Sequence, residues 1–165
     1  MLIHGLDIRL ATAQDTALIL DFIKDLAAYE KLSHEVIATE ESLQTTLFGE
    51  KPQAEVVIGY DERGVAAGFA LFFHNYSTFL AKSGIYLEDL FVKPEYRGRG
   101  FGKALLVYLA QIAKERQCGR LEWSVLDWNT PAIDFYRSLG AKPMDEWTVF
   151  RVAGDALEQL ASTGK

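Results

Sequence analysis

Arg97-Gly98-Arg99-Gly100-Phe101-Gly102-Lys103 decides how this chain is read. It stands between an apolar, strand-like segment, Ile85 to Val92, and an amphipathic segment from about Gly100 to Gln117. The second segment repeats Phe101, Leu105, Tyr108, Leu109 and Ile112 at helical spacing. A helix start carries unpaired N–H groups and a partial positive charge, so it grips anions. Glycine lets backbone approach an anion with no Cβ in the way, and arginine or lysine adds charge-assisted bonds. Two nucleotide motifs are excluded by spacing. A P-loop needs four residues before its Gly-Lys pair and Ser or Thr after it, whereas three separate Gly98 from Gly102 and Ala104 follows Lys103. A dinucleotide fingerprint needs glycine where Lys103 stands. What fits is Arg-x-x-Gly-x-Gly, carried by Arg97, Gly100 and Gly102.

Outward from this cradle the chain alternates strands and helices. Asp7–Leu10 reads as a strand, and Thr12 and Asp15 open a helix to about Tyr29 with Leu18, Phe22 and Leu26 on one face. Thr39 starts a helix to Phe48, closed by Gly49. Glu55–Tyr60 and Val65–Asn75 flank a turn at Asp61–Gly64. Beyond the cradle helix, Arg120–Val125 reads as a strand, Pro131–Leu139 as a short helix and Trp147–Val152 as a last strand. The order predicts a single α/β domain over 1–165, with a central mixed sheet and helices on both faces.

The net charge of −6 argues against a nucleic-acid binder. It is unevenly spread: residues 1–60 hold ten acidic and four basic side chains, residues 93–120 two and seven. Such a chain suits a cationic substrate and a polyanionic cofactor. No apolar run approaches membrane-spanning length, Met1–Arg9 does not read as a signal peptide, and Cys118 is the only cysteine. A cytoplasmic location is the expectation. His4, His34 and His74 lack partners at ligand spacing, so no metal is expected, and Cys118 has no candidate base beside it.

Arg97–Gly102 resembles the coenzyme A pyrophosphate loop of the GNAT N-acetyltransferases. Tyr86-Leu87-Glu88-Asp89-Leu90-Phe91-Val92, Pro94–Gly98, Asp127-Trp128-Asn129, Phe135-Tyr136 and Leu139-Gly140-Ala141 resemble its diamine acetyltransferase branch. Tyr29–Ser33 and Tyr76–Phe79 are closest to the thialysine-acetylating type. The resemblance implies the GNAT fold, with a mostly antiparallel sheet, acetyl-CoA as co-substrate, a small-molecule amine as acceptor and a homodimer. It also implies that Arg97, Gly98, Arg99, Gly100, Phe101, Gly102 and Lys103 hold the cofactor with Asn129, Pro131 and Ala132. Main-chain groups of Leu90, Phe91 and Val92 pair with the pantetheine arm. Tyr29 and Glu30 line the amine pocket, and Ser77 replaces an aspartate of the polyamine-selective enzymes.

Acetyl transfer requires a neutral amine, although an alkylamine has a pKa near 10.4, which makes deprotonation at pH 7 cost about 4–5 kcal/mol. The departing thiolate also benefits from a proton donor. The resemblance makes Glu88 the carboxylate that binds the amine and relays its proton. Strand neighbours point to opposite faces, so Glu88 and Asp89 share a site only where a bulge intervenes, and Asp89 reads as structural. Tyr136 is the general acid, a phenol protonated at pH 7 that the resemblance sets beside the cofactor sulfur. Direct attack is favoured over an acetyl-enzyme. Two alternatives remain open: a protein or peptide acetyltransferase of the same fold, and a non-catalytic CoA-binding regulatory module.

Overall fold

The computed structural model describes residues 1–164, which divide into two compact units, 1–126 and 127–164. The first unit holds β1 (Leu2–Ile3), β2 (Leu6–Leu10), α1 (Thr16–Tyr29), α2 (Glu40–Phe48), β3 (Glu55–Tyr60), β4 (Ala66–Ser77), β5 (Lys82–Val92), α3 (Phe101–Glu115) and β6 (Leu121–Trp123). The strands form one six-stranded sheet in sequential order. All neighbours are antiparallel except β5 and β6, because α3 is the crossover between those two. The expected mixed, mostly antiparallel α/β sheet is borne out.

Local signals place these elements. The Thr12 N–H donates to Asp15 at 2.7 Å ahead of α1, and at α2 the Ser42 N–H donates to Thr39 Oγ1 at 3.1 Å. Each satisfies an end-of-helix donor. Gly49 keeps a negative φ of −75°; glycine is needed there because a Cβ would collide with the Thr45 carbonyl oxygen. Val56, Val57 and Ile58 are consecutive and all buried, so both sheet faces are covered. On one face Phe22 of α1 stacks on Phe69 of β4, ring centroids 5.1 Å apart, and meets Phe91 of β5 edge-on at 6.4 Å. Burying each such side chain contributes about 1.5–3 kcal/mol. α3 packs on β4 and β5 through buried Leu105, Leu106 and Leu109. Arg116, at its end, makes paired bonds of 2.7 and 2.9 Å to Glu55 of β3.

The second unit holds α4 (Thr130–Ser138) and α5 (Gly154–Ser162). Its outcome corrects one expectation. Trp147–Val152 is not a strand: the segment is irregular and its Trp147, Val149 and Phe150 are 76%, 84% and 92% exposed. Alternation supplies a pattern, but a strand also needs an edge to pair with, and among the described residues the sheet ends at β6. The α5 helix, which follows that segment, was not anticipated. Among the described residues no helix is long and apolar enough to cross a membrane.

Candidate active site

The cradle is formed as its residues demand. β5 ends at Val92, a single turn of 3-10 helix spans Pro94–Tyr96, and the chain enters α3 through Gly98 and Gly100 at φ +77° and +80°. These are left-handed values that favour glycine. A Cβ at either glycine would meet nothing within 4 Å, so the loop stands in open space above the first N–H groups of α3. β6 pairs with β5 only from Ile85 to Leu87. Beyond Leu87, among the described residues, no strand covers that edge of β5. Backbone groups from Glu88 to Val92 therefore face outward on one side, beside the open cradle.

The decisive feature lies on β5 itself. Leu71 of β4 faces Asp89, whereas Phe72 faces Leu87, so Glu88 is an extra residue between them. This bulge breaks the alternation that would send the two carboxylates to opposite faces. Glu88 and Asp89 both line one cleft of about 440 Å³, together with Glu30. Ile23 and Leu26 of α1 and Val36 form apolar walls of the same cleft. Glu88 is exposed and Asp89 half-buried. Burial, then the charges of Glu88 and Glu30, push the Asp89 carboxyl up to about 6. Burial also raises Glu30. The local sequence reading gave Asp89 only a structural place; the one signal for more was its adjacency to Glu88.

Other predicted positions separate. Tyr29 lines a second cleft, of about 450 Å³, with Phe91, Lys93 and Arg97, while the next residue, Glu30, lines the acidic one. Arg97 does not extend into the loop mouth: its Nε donates to the Val92 carbonyl at 3.1 Å, and its guanidinium lies over the Tyr29 ring at 4.9 Å. Arg99 lies over Phe101 at 4.9 Å and reaches Glu62 at 3.3 Å. Lys103 is exposed on the first turn of α3. Phe91 is buried, with Leu90 and Val92 half-buried beside it. Ser77 is buried and its Oγ accepts the Leu80 N–H at 3.3 Å, so the hairpin turn occupies it. In the second unit, Asn129 Oδ1 accepts the Ala132 N–H at 3.4 Å and caps α4, with Pro131 in the first turn. Tyr136 is half-buried on α4, its ring 5.7 Å from that of Phe135.

An open glycine loop at a helix start, an uncovered strand edge and a carboxylate cleft can together hold a phosphorylated carrier, lay an amide-bearing arm along backbone, and take up a cationic acceptor. Comparison with known proteins agrees. The model of the Acetyltransferase (GNAT) family matches residues 21–141. The chain is 41% identical to thialysine N-epsilon-acetyltransferase of Bos taurus, over 93% of this chain and 96% of that one. It is 36% identical to L-ornithine N5-acetyltransferase NATA1 of Arabidopsis thaliana, over 93% and 86%. Among solved structures, an integron cassette protein from the mobile metagenome of V. cholerae superposes with a TM-score of 0.79 at 28% identity, covering 95% of this chain and 98% of that one. A family match that runs from α1 through the cradle to α4, and relatives alike over nearly the whole length, lead to one assignment: this chain is an acetyltransferase of the GNAT family.

Proposed function

We propose that this enzyme transfers an acetyl group to a primary amine of a small cationic molecule, a lysine-like amine or a diamine, by direct attack. The observation that carries the reading is the bulge that turns Glu88 and Asp89 into one cleft with Glu30. Relatives named for ornithine and thialysine acetylation support the same class of acceptor. The family uses acetyl-CoA as co-substrate, and when bound it supplies an acetyl group on a thioester open to an amine nucleophile. The residues fit it. The backbone of Gly98–Gly102 and the start of α3 would hold the pyrophosphate, and the uncovered edge of β5 at Leu90–Val92 would take the pantetheine arm.

In this reading the cleft has two tasks that oppose each other. Its carboxylates recruit an ammonium, yet the same charges raise the ammonium's pKa. Asp89 eases the conflict. Passing a proton to a carboxyl held at about 6 instead of 3.8 is less unfavourable by roughly 3 kcal/mol. Glu88, exposed at the bulge, meets the ammonium first and relays its proton. Tyr136 Oη gives a proton to the departing sulfur, a role supported by its phenol chemistry and by the Asn129-capped helix that carries it. The whole of 1–165 acts as one domain, in the cytoplasm and as a homodimer.

The test is CoA release from acetyl-CoA with thialysine, lysine, ornithine, putrescine, spermidine and a lysine-containing peptide. Turnover confined to the small amines, with Glu88→Gln and Asp89→Asn each raising the amine KM or lowering kcat at least ~10-fold, is the expected outcome. Turnover of the peptide alone would give the protein-acetylating reading the lead. CoA binding without any turnover would favour a regulatory module.

A further inference from the structure

The turn between β3 and β4 lies far from the acidic cleft in sequence, yet it grips the cradle. Asp61 opens that turn with its side chain fully buried. Its carboxylate accepts the Val65 N–H at 2.8 Å, the Arg63 N–H at 2.9 Å, the Arg63 guanidinium at 3.0 Å and the Tyr96 hydroxyl at 2.9 Å. Burial acts to raise this carboxyl's pKa, but the donors outweigh it and hold the group well below the usual carboxylate range. Asp61 is therefore a fixed anion at any physiological pH. Three of the four contacts are local to the turn. The fourth joins it to Tyr96, 35 residues on, the buried residue immediately before Arg97.

Tyr96 also stacks on Phe101, the first residue of α3, with ring centroids 5.9 Å apart. The next residue of the turn, Glu62, holds Arg99 inside the cradle, and the Arg99 guanidinium lies over the Tyr96 ring at 5.5 Å. The turn thus touches the loop before its glycines and between them. Gly98 and Gly100 themselves have no neighbours where a side chain would stand, so their positions are set from the loop's two ends. Anion binding by backbone N–H groups depends on such preorganisation, since ordering a loose loop is charged against affinity.

We propose that Asp61 is a positioning residue for cofactor binding: through Tyr96 it holds Gly98–Gly102 in the geometry that receives a pyrophosphate. The inference rests on the reading of that loop as the coenzyme A site. Tyr96→Phe is the incisive variant, because it removes the hydroxyl's bond to Asp61 at 2.9 Å, with the longer one it accepts from the Arg63 guanidinium at 3.4 Å, and leaves Asp61 with its Arg63 and Val65 donors. Asp61→Asn disturbs the turn as well, and its unfolding temperature must be followed beside its activity.

The experiment measures the Kd of CoA by calorimetry, and kcat/KM with two acetyl donors, acetyl-CoA and S-acetylpantetheine, which lacks the pyrophosphate. Tyr96→Phe is expected to weaken CoA binding and lower kcat/KM for acetyl-CoA about 5–10-fold, the size of the lost bond to Asp61. The amine KM and kcat/KM with S-acetylpantetheine should stay within about 2-fold of wild type. Unchanged CoA binding, or equal losses on both donors, overturns the positioning role while leaving the coenzyme A site intact. Wild-type enzyme that binds no CoA, or uses S-acetylpantetheine as well as acetyl-CoA, overturns the cradle reading and the inference together.

Discussion

Arg97 lies over Tyr29, its guanidinium carbon 4.9 Å from the ring centroid, so the first residue of the cradle motif is attached to the end of α1. The same side chain donates to the Val92 carbonyl at 3.1 Å. The helix that presents Glu30 to the acidic cleft is therefore tied to the strand that feeds the cradle. A planar guanidinium stacks on the ring and donates from Nε at the same time, a pairing that a lysine ammonium does not reproduce.

Replacing Arg97 by Lys separates charge from tether. If Arg97 served as a phosphate ligand, lysine would largely restore CoA affinity relative to Arg97→Ala. If it acts as the tether seen here, both variants should raise the amine KM by about 5–50-fold, the scale of a lost exposed cation–π contact and one hydrogen bond. Steady-state kinetics with each substrate varied in turn decides between them.

Asp89 should be held in the cleft at a cost to stability. Folded, its carboxyl keeps its proton up to about pH 6; its ordinary value is 3.8. The native state therefore binds more protons than the unfolded state in that window, and stability falls as pH rises through it. Asp89→Asn should be more stable than wild type at pH 7.5, by up to about 3 kcal/mol, and melt at a higher temperature, with no such gain at pH 3.5. Activity should drop in the same variant. Equal melting temperatures at pH 7.5 would show that the carboxyl is not strained by its surroundings.

The acid limb of kcat/KM for the amine is expected near pH 6, where Asp89 ionises. Burial is the main cause of that value, with Glu88 and Glu30 adding to it. Glu30→Gln removes one neighbouring charge and should move the limb to lower pH by about half a unit. A limb that stays in place in Glu30→Gln would assign it to another group.

Tyr136→Phe should lower kcat by about 10² or more with CoA affinity unchanged, as expected for loss of a general acid. A leaving group of lower pKa than CoA would make the loss smaller. Wild-type kcat in the variant would mean that the proton reaches sulfur by another route.

Much of this protein was readable from its residues. Alternation in Asp7–Leu10 marks β2 and apolar runs mark β3–β5, capping residues Thr12, Asp15 and Thr39 mark the starts of α1 and α2, and Asp61–Gly64 marks the hairpin. Arg97–Lys103 between strand and helix announces an anion cradle, because glycine at positive φ is a local necessity that composition reveals. Trp147–Val152 carries a strand pattern without forming a strand, since pairing depends on an edge elsewhere.

What only the tertiary structure decided are the relationships across the sheet and between distant turns. Nothing in Tyr86–Val92 reveals that Glu88 is the unpaired residue of a bulge. That follows from the register of β4, where Leu71 and Phe72 flank the slip. Tyr29 and Glu30 are neighbours in sequence but line different clefts, because adjacent helical side chains diverge by about 100°. Asp61 and Tyr96 meet only when β3, β4 and β5 lie side by side. Local patterns determined the elements and the cradle, for these follow from backbone geometry and short-range bonding. The acidic cleft and the grip on the cradle belong to the fold, because a pKa of about 6 and a buried carboxylate arise from what surrounds a residue.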